Sequence, residues 1–284
     1  MEWPGDRRAI ESWLRTRMLS EIGADAGARV GGLDRVRFAV EATGAEIEHL
    51  LIDATGVKVT LHASAPFTTD PPPPNGPIVV SRQDGMLRSA RLVADPVKVQ
   101  GCPVHLDATL NDLPFSWVTY DTELTPGDPS SRYGVDESDD PASPTGSFRG
   151  ALSVDDIGPL LTKAMRPLLS AEGVRLRRLA VSVESPEAER LLVHAVISAR
   201  WKLLAAKATA EVALHISPGA VVTVERLRVG TRNPVVALGL RLMRAELKAV
   251  EGRSYDMNAD AETFRIRDLR FTVDERLTVT GRIG

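Results

Sequence analysis

Two segments with an apolar stripe at helical spacing, Ser153 to Glu172 and Asn233 to Glu251, constrain this chain most. Each is followed by long strand-like runs, and neither is joined to a compact catalytic motif. Apolar residues recurring every three or four positions must be buried along one side of a helix. In the first segment Ile157, Leu160, Leu161, Ala164, Met165, Leu168 and Leu169 fall on one face, behind a capping-box-like start at Ser153 and Asp156. Pro159 is tolerated in the first turn, Pro167 is expected to kink the helix and Gly173 to end it. In the second segment Asn233-Pro234 supplies a cap and first-turn pair, and Val236, Leu240, Met243, Leu247 and Val250 form the stripe up to Gly252. Long helices alternating with strand meanders, with little candidate chemistry between them, point to a protein that encloses something rather than one that reacts with it.

Most of the remaining chain reads as strand. Period-two alternation or β-rich composition marks Arg35 to Glu41, Ala45 to Ala54, Val57 to Ala63, Met86 to Val93, Val97 to Gln100, Val104 to Leu110 and Phe115 to Tyr120. Further strands are expected at Val174 to Glu184, Arg190 to Arg200, Trp201 to Ile216, Ala220 to Gly230, Thr263 to Val273 and Leu277 to Ile283. A proline run, Pro71 to Pro74, predicts an extended loop. Near the N-terminus Ile10, Trp13, Leu14, Met18 and Ile22 predict a helix over Arg7 to Ile22, closed at Gly23. With Trp3 nearby it either docks on the body or lies at a membrane surface. Its arginines are matched by Glu2, Asp6, Glu11 and Glu21, which favours docking.

Charge sorts the chain further. A net charge of −3 argues against nucleic acid as a partner, since a binder of phosphate backbones carries a basic excess. Between Asp121 and Phe148 seven acidic residues stand against the single basic Arg132, in a stretch rich in Pro, Gly and Ser. That composition predicts a linker or loop. Its Asp136-Glu137-Ser138-Asp139-Asp140 run lacks the spacing, central glycine and terminal glutamate of a calcium-binding EF-hand loop, so a solvated acidic loop is expected. The resulting organisation is an N-terminal amphipathic helix (1–30), a β-rich first half (31–120), an acidic segment (121–150) and a helix-sheet-helix-sheet second half (151–284), the two halves packing as one unit. With 43% hydrophobic residues the chain can build a sizeable core.

The chemical inventory is sparse. One cysteine, Cys102, excludes a disulfide framework within the chain and a cysteine-based zinc site, and favours a reducing compartment. No phosphate loop, nucleophile elbow, zinc-protease helix or kinase signature is present. His49, His62, His105, His194 and His215 are scattered at strand-like positions without paired ligand spacing. No catalytic residue, metal or cofactor is therefore assigned. The early acidic residues predict no secretory signal, and no stretch reaches the roughly 18 to 20 apolar residues that cross a bilayer. A cytoplasmic location, with peripheral membrane contact, is expected.

The second half resembles a known family. An apolar-striped helix precedes a strand opening Val174-Arg175-Leu176-Arg177-Arg178-Leu179-Ala180-Val181. A meander and an Asn233-Pro234-led helix follow. The ending is Phe264-Arg265-Ile266-Arg267-Asp268-Leu269-Arg270-Phe271-Thr272-Val273, then Leu277-Thr278-Val279-Thr280-Gly281. This pattern, clearest from Leu152 to Gly284 and looser over Arg35 to Tyr120, resembles the actinobacterial lipomannan elongation factor family, itself similar to the tubular lipid-binding superfamily. Two features depart from it, the absence of an export signal and the long acidic segment. The resemblance implies an α+β fold in which a strongly curved antiparallel sheet wraps long apolar-faced helices and leaves a tunnel for a lipid.

On that expectation the chain is a non-enzymatic binder or carrier of a lipid, of the phospholipid or glycolipid class. Leu160, Leu161, Met165, Leu168, Leu240, Met243 and Leu247 are expected to line the tunnel, the methionines adapting to irregular shapes. Arg241 and Arg244 are candidates for the head group. Two alternatives stand beside it: a structural or protein-interaction module with a filled core, and an enzyme acting on a hydrophobic substrate such as a polyketide or terpenoid.

Overall fold

Alternation of apolar and polar residues dominates the chain, and it produces two open sheets of ten and five strands. The computed structural model describes residues 6–24, 28–61, 77–125, 127–138, 144–171, 173–201, 204–242, 244–259 and 264–284. Trp3, His62, the Pro71 to Pro74 run and Met243 lie outside them.

The larger sheet is built on a hairpin of two very long strands, β5 (Val79–Val99) and β6 (Cys102–Tyr120). Gln100 and Gly101 join them in two residues, with φ of 53° and 81°, and Val99 pairs with Cys102. Positive φ at both turn positions matches the right-handed twist of the strands, which is why glycine stands at the second. Four strands precede the hairpin: β1 (Ala28–Gly31), β2 (Arg37–Thr43), β3 (Glu46–Asp53) and β4 (Lys58–Leu61). On one side of the hairpin β3 and β4 run parallel to β5. On the other, β6 pairs with both β7 (Tyr133–Glu137) and β8 (Thr145–Ser153). Next to β8 come β15 (Arg276–Ile283) and then β14 (Ile266–Val273), so the last strands of the chain close onto its middle. The acidic segment thus contributes β7 and the first part of β8 to this sheet.

The smaller sheet is an antiparallel meander of β9 (Val174–Glu187), β10 (Arg190–Trp201), β11 (Leu204–Ile216) and β12 (Val221–Thr231), with short β13 (Ser254–Asp256) beyond. Four α-helices are described: α1 (Arg7–Ala24), α2 (Val154–Ala171), α3 (Pro234–Leu242) and α4 (Arg244–Val250). Docking is the outcome for α1: Ile10 and Trp13 are buried against Val40, Ile47, Leu87, Phe115 and Trp117. The Trp13 indole N–H donates to the Tyr133 carbonyl at 3.1 Å, and the Trp13 and Trp117 rings meet edge to face at 6.0 Å. At α2, Gly158 lets the helix approach β9 closely, since a Cβ there would sit 3.1 Å from the Leu179 carbonyl oxygen. Ile157 then joins Val183 and Leu191 of the smaller sheet, with Leu152 and Leu277 of the larger one beside them.

The expected α+β architecture, a curved sheet wrapped around long apolar-faced helices, is overturned. Among the described residues 62% are in strands and 19% are helical, the sheets are open, and no long apolar helix is wrapped by either. Two physical causes account for the difference. Breaks read as strand ends are crossed by single strands: β5 runs through Pro96 by shifting its register between Ala94 and Val97, where the missing proline N–H has no ladder bond to give. In addition, the stripe from Asn233 to Glu251, described as α3 and α4 on either side of Met243, is seated against β12 rather than inside a sheet.

Candidate ligand-binding site

The smaller sheet has a predominantly apolar face and a mixed, more polar one, and its register shows how the rows separate. Val183, Val193, Val212 and Leu227 form one row across β9 to β12. Val181, Ala195, Ala210 and Val229 form the next, and Leu179, Ile197, Ala208 and Thr231 a third. Ala199 pairs with both Leu176 and Ala206 further along. On the opposite face the rows read Ser182, His194, Glu211 and Arg228, then Ala180, Val196, Thr209 and Gly230. Alternation of this kind predicts an apolar face removed from water.

That face is only partly removed from water. On β9, where α2 packs, Leu176, Leu179 and Val183 are 7%, 8% and 6% exposed. On β10 and β11 the facing residues Ala195, Ile197, Ala199, Ala206, Ala208 and Ala210 are all half-buried. Among the described residues the helices lodge on β9 and β12, and the two central strands lie between them. Because alanine rises so little from the sheet, Ala195 and Ala210 form a low lane between Val181 and Val229. At about 3.3 Å per residue, the lane from Ala206 to Ala210 is roughly 13 Å long.

At the β12 side the lane meets a cleft of about 740 Å³ whose walls include Leu227, Val229, Ala237, Arg241, Leu247 and Lys248. Polar contacts tie the helical segments beside the cleft to β12 and β11. The Leu227 N–H donates to Glu251 Oε1 at 2.9 Å, so α4 covers an edge group that would otherwise be free. Asn233 caps α3 by accepting from the Val236 N–H at 3.3 Å, while its Nδ2 donates to the Ala205 carbonyl at 3.2 Å. Among the described residues Arg241 and Lys248 form no ion pair, and they share the cleft wall with Arg228, Thr231 and the Glu251 carboxylate.

The residues expected to bind ligand are thus distributed. Arg241 and Leu247 come together in the cleft. Leu160 and Met165 are half-buried on α2, and Leu161 is 37% exposed. The side chains of Leu168, Leu240 and Arg244, and all of Met243, fall outside the described residues. Sequence reasoning missed the alanine lane, although Ala206, Ala208 and Ala210 alternate with Lys207, Thr209 and Glu211 and so carry the signal of a two-faced strand.

Elsewhere the titratable groups are in ordinary structural settings. His194 faces Glu211 across the polar face at 3.8 Å, and His105 contacts Asp95 on the larger sheet. Among the described residues no cluster of three His, Cys, Asp or Glu side chains has the arrangement of a metal site. Burial pushes the Cys102 thiol above its usual range, the Asp156 carboxylate adds to the rise, and Lys163 opposes it. Hydrogen bonds from Thr55 hold the Asp53 carboxyl low, and the Arg91 guanidinium does the same for Asp107. No described helix is long and apolar enough to cross a membrane. The chain matches no protein-family model, no curated protein and no solved structure, so the case for its function rests on its own residues.

Proposed function

We propose that the protein is a non-enzymatic carrier of an anionic lipid, its apolar chain laid along the alanine lane and its acidic head group held at the α3–α4 cleft by Arg241 and Lys248. The observation that carries this reading is the incomplete burial of a face that is apolar across four strands. Each methylene transferred from water to that face contributes about 0.8 kcal/mol, so a chain covering the lane gains several kcal/mol. The two cations supply complementary charge for a phosphate or carboxylate at its end. The reading is one of binding rather than turnover, because the lane brings no titratable side chain onto the apolar rows.

Native mass spectrometry of the full chain, followed by organic extraction and identification of released material, tests it. A stoichiometric acidic lipid in the wild type, lost from Ala208→Glu and reduced in Arg241→Glu, is the expected result. Circular dichroism checks that both variants fold, and Ala208→Trp, which fills the lane without adding charge, gives a second route to the same loss. An apo mass that persists after incubation with phosphatidylglycerol vesicles overturns the carrier reading. It would then favour a face covered by another protein.

A further inference from the structure

The opposite side of the larger sheet carries a separate hollow of about 460 Å³, to which β5, β6, β8 and β15 all contribute. Its charged residues are Arg91, Asp95, His105, Asp107, Arg149 and Arg276. The register explains how they meet. Asp107 on β6 stands opposite both Val93 on β5 and Arg149 on β8, and Arg276 on β15 stands opposite Ser153. Both carboxylates are already engaged. Arg91 donates from Nε to Asp107 Oδ1 at 3.0 Å and from Nη2 to Oδ2 at 2.7 Å, and Asp95 contacts the His105 ring.

Arg149 and Arg276 are different. Some cross-strand arginines meet a carboxylate, as in Arg88 with Glu46, Arg190 with Glu225 and Arg82 with Asp136, whereas Arg149 and Arg276 line a shared hollow without one. Among the described residues these two form no ion pair, and the nearby Asp274 carboxylate accepts the backbone N–H of Arg276 at 2.9 Å. Three arginines therefore line one concavity with two occupied carboxylates, which leaves a positive excess there. Like charges gathered in a hollow raise the local potential and concentrate counter-ions there.

We infer that this hollow is an oxyanion site in which Arg149 and Arg276 hold a phosphate group, with Arg91 fixed by Asp107 as its third wall. A guanidinium presents a planar fork that matches two oxygens of a tetrahedral anion, so two free forks suit a phosphate better than a singly charged halide or a single carboxylate. The site is independent of the alanine lane and stands or falls without it. Free orthophosphate and the phosphate of a lipid head group offer the same chemistry, and the test separates them.

The test is a titration of the full chain with inorganic phosphate at constant ionic strength, followed by the arginine Nε resonances. Saturable shifts at Arg149 and Arg276 are expected. Arg149→Gln and Arg276→Gln should each weaken the apparent Kd by roughly ten-fold or more, about 1.4 kcal/mol. Arg149→Lys, which keeps the charge but loses the fork, should recover only part of the affinity. Arg282→Gln, removing a cation that faces Asp268 at 3.7 Å outside the hollow, should leave it unchanged. Shifts that rise linearly and equally at all arginines, or a wild-type Kd in both glutamine variants, would overturn the site. Co-sedimentation with phosphatidic acid vesicles then assigns the source: loss of vesicle binding in the glutamine variants points to a head group, and unchanged vesicle behaviour beside lost phosphate binding points to a soluble phosphate ester.

Discussion

Cys102 opens β6 and is 3% exposed, so its thiol is held protonated by burial and by the neighbouring Asp156 charge. Only the thiolate reacts with alkylating reagents, so native protein at pH 8 should be modified at least about ten-fold more slowly than protein in denaturant, as followed by thiol release or mass. A native rate equal to the denatured one would contradict the burial. Asp107 allows a test of opposite sign. Arg91 lowers its folded pKa, so the pair contributes stability above the unfolded carboxylate value of about 3.9, and that contribution disappears as pH falls through the lower folded value. Both side chains are well exposed, which limits the effect to about 0.2–1 kcal/mol. Urea titrations should show Asp107→Asn less stable than wild type by that amount at pH 7, with the difference gone by about pH 2.

Single elements show a device that the sequence carries without advertising it. Gly281 on β15 pairs with Phe148 on β8, and Gly85 on β5 pairs with Phe115 on β6. In each case the aromatic ring covers the glycine: an added Cβ would come within 2.6 Å of the Phe148 ring at Gly281 and 2.9 Å of the Phe115 ring at Gly85. Gly281→Val should therefore cost about 1–3 kcal/mol through displacement of Phe148, measured by thermal or urea unfolding, whereas Gly281→Val combined with Phe148→Ala should recover part of that loss. The strand positions themselves were largely legible, because Val57 to Leu61 shows its alternation directly and the β-rich run around Leu191 to Val196 marks a strand by composition. What was not legible was continuity. Pro96 and Pro114 look like strand ends in a one-dimensional reading, yet the long hairpin passes through both, one at a register shift and the other opposite Met86.

At the scale of the whole molecule the same limit decides what could be foreseen. Helix stripes at Ile157 to Leu169 and Val236 to Val250 are strong local signals, but a stripe states only that one side is covered. It does not state whether the cover is a wrapped sheet or a strand edge, and α3 and α4 take the second course. Arg241 and Leu247, at helical positions, line the cleft, while Ala206 to Ala210 carry little sequence signal because alanine is weakly diagnostic in any element. The face emerges only when four strands are set in register. One contact described for α2 gains meaning at this scale. Gly158 seats the helix on β9 of the smaller sheet, and one turn and a half later the Lys163 ammonium donates to the Gln100 carbonyl at 2.5 Å, at the tip of the long hairpin in the larger one. The helix is thereby a strut between the two sheets. Displacing α2 from β9 would therefore also remove the Lys163 contact at the Gln100–Gly101 turn, so the packing of the smaller sheet and the tip of the long hairpin are tied through one helix.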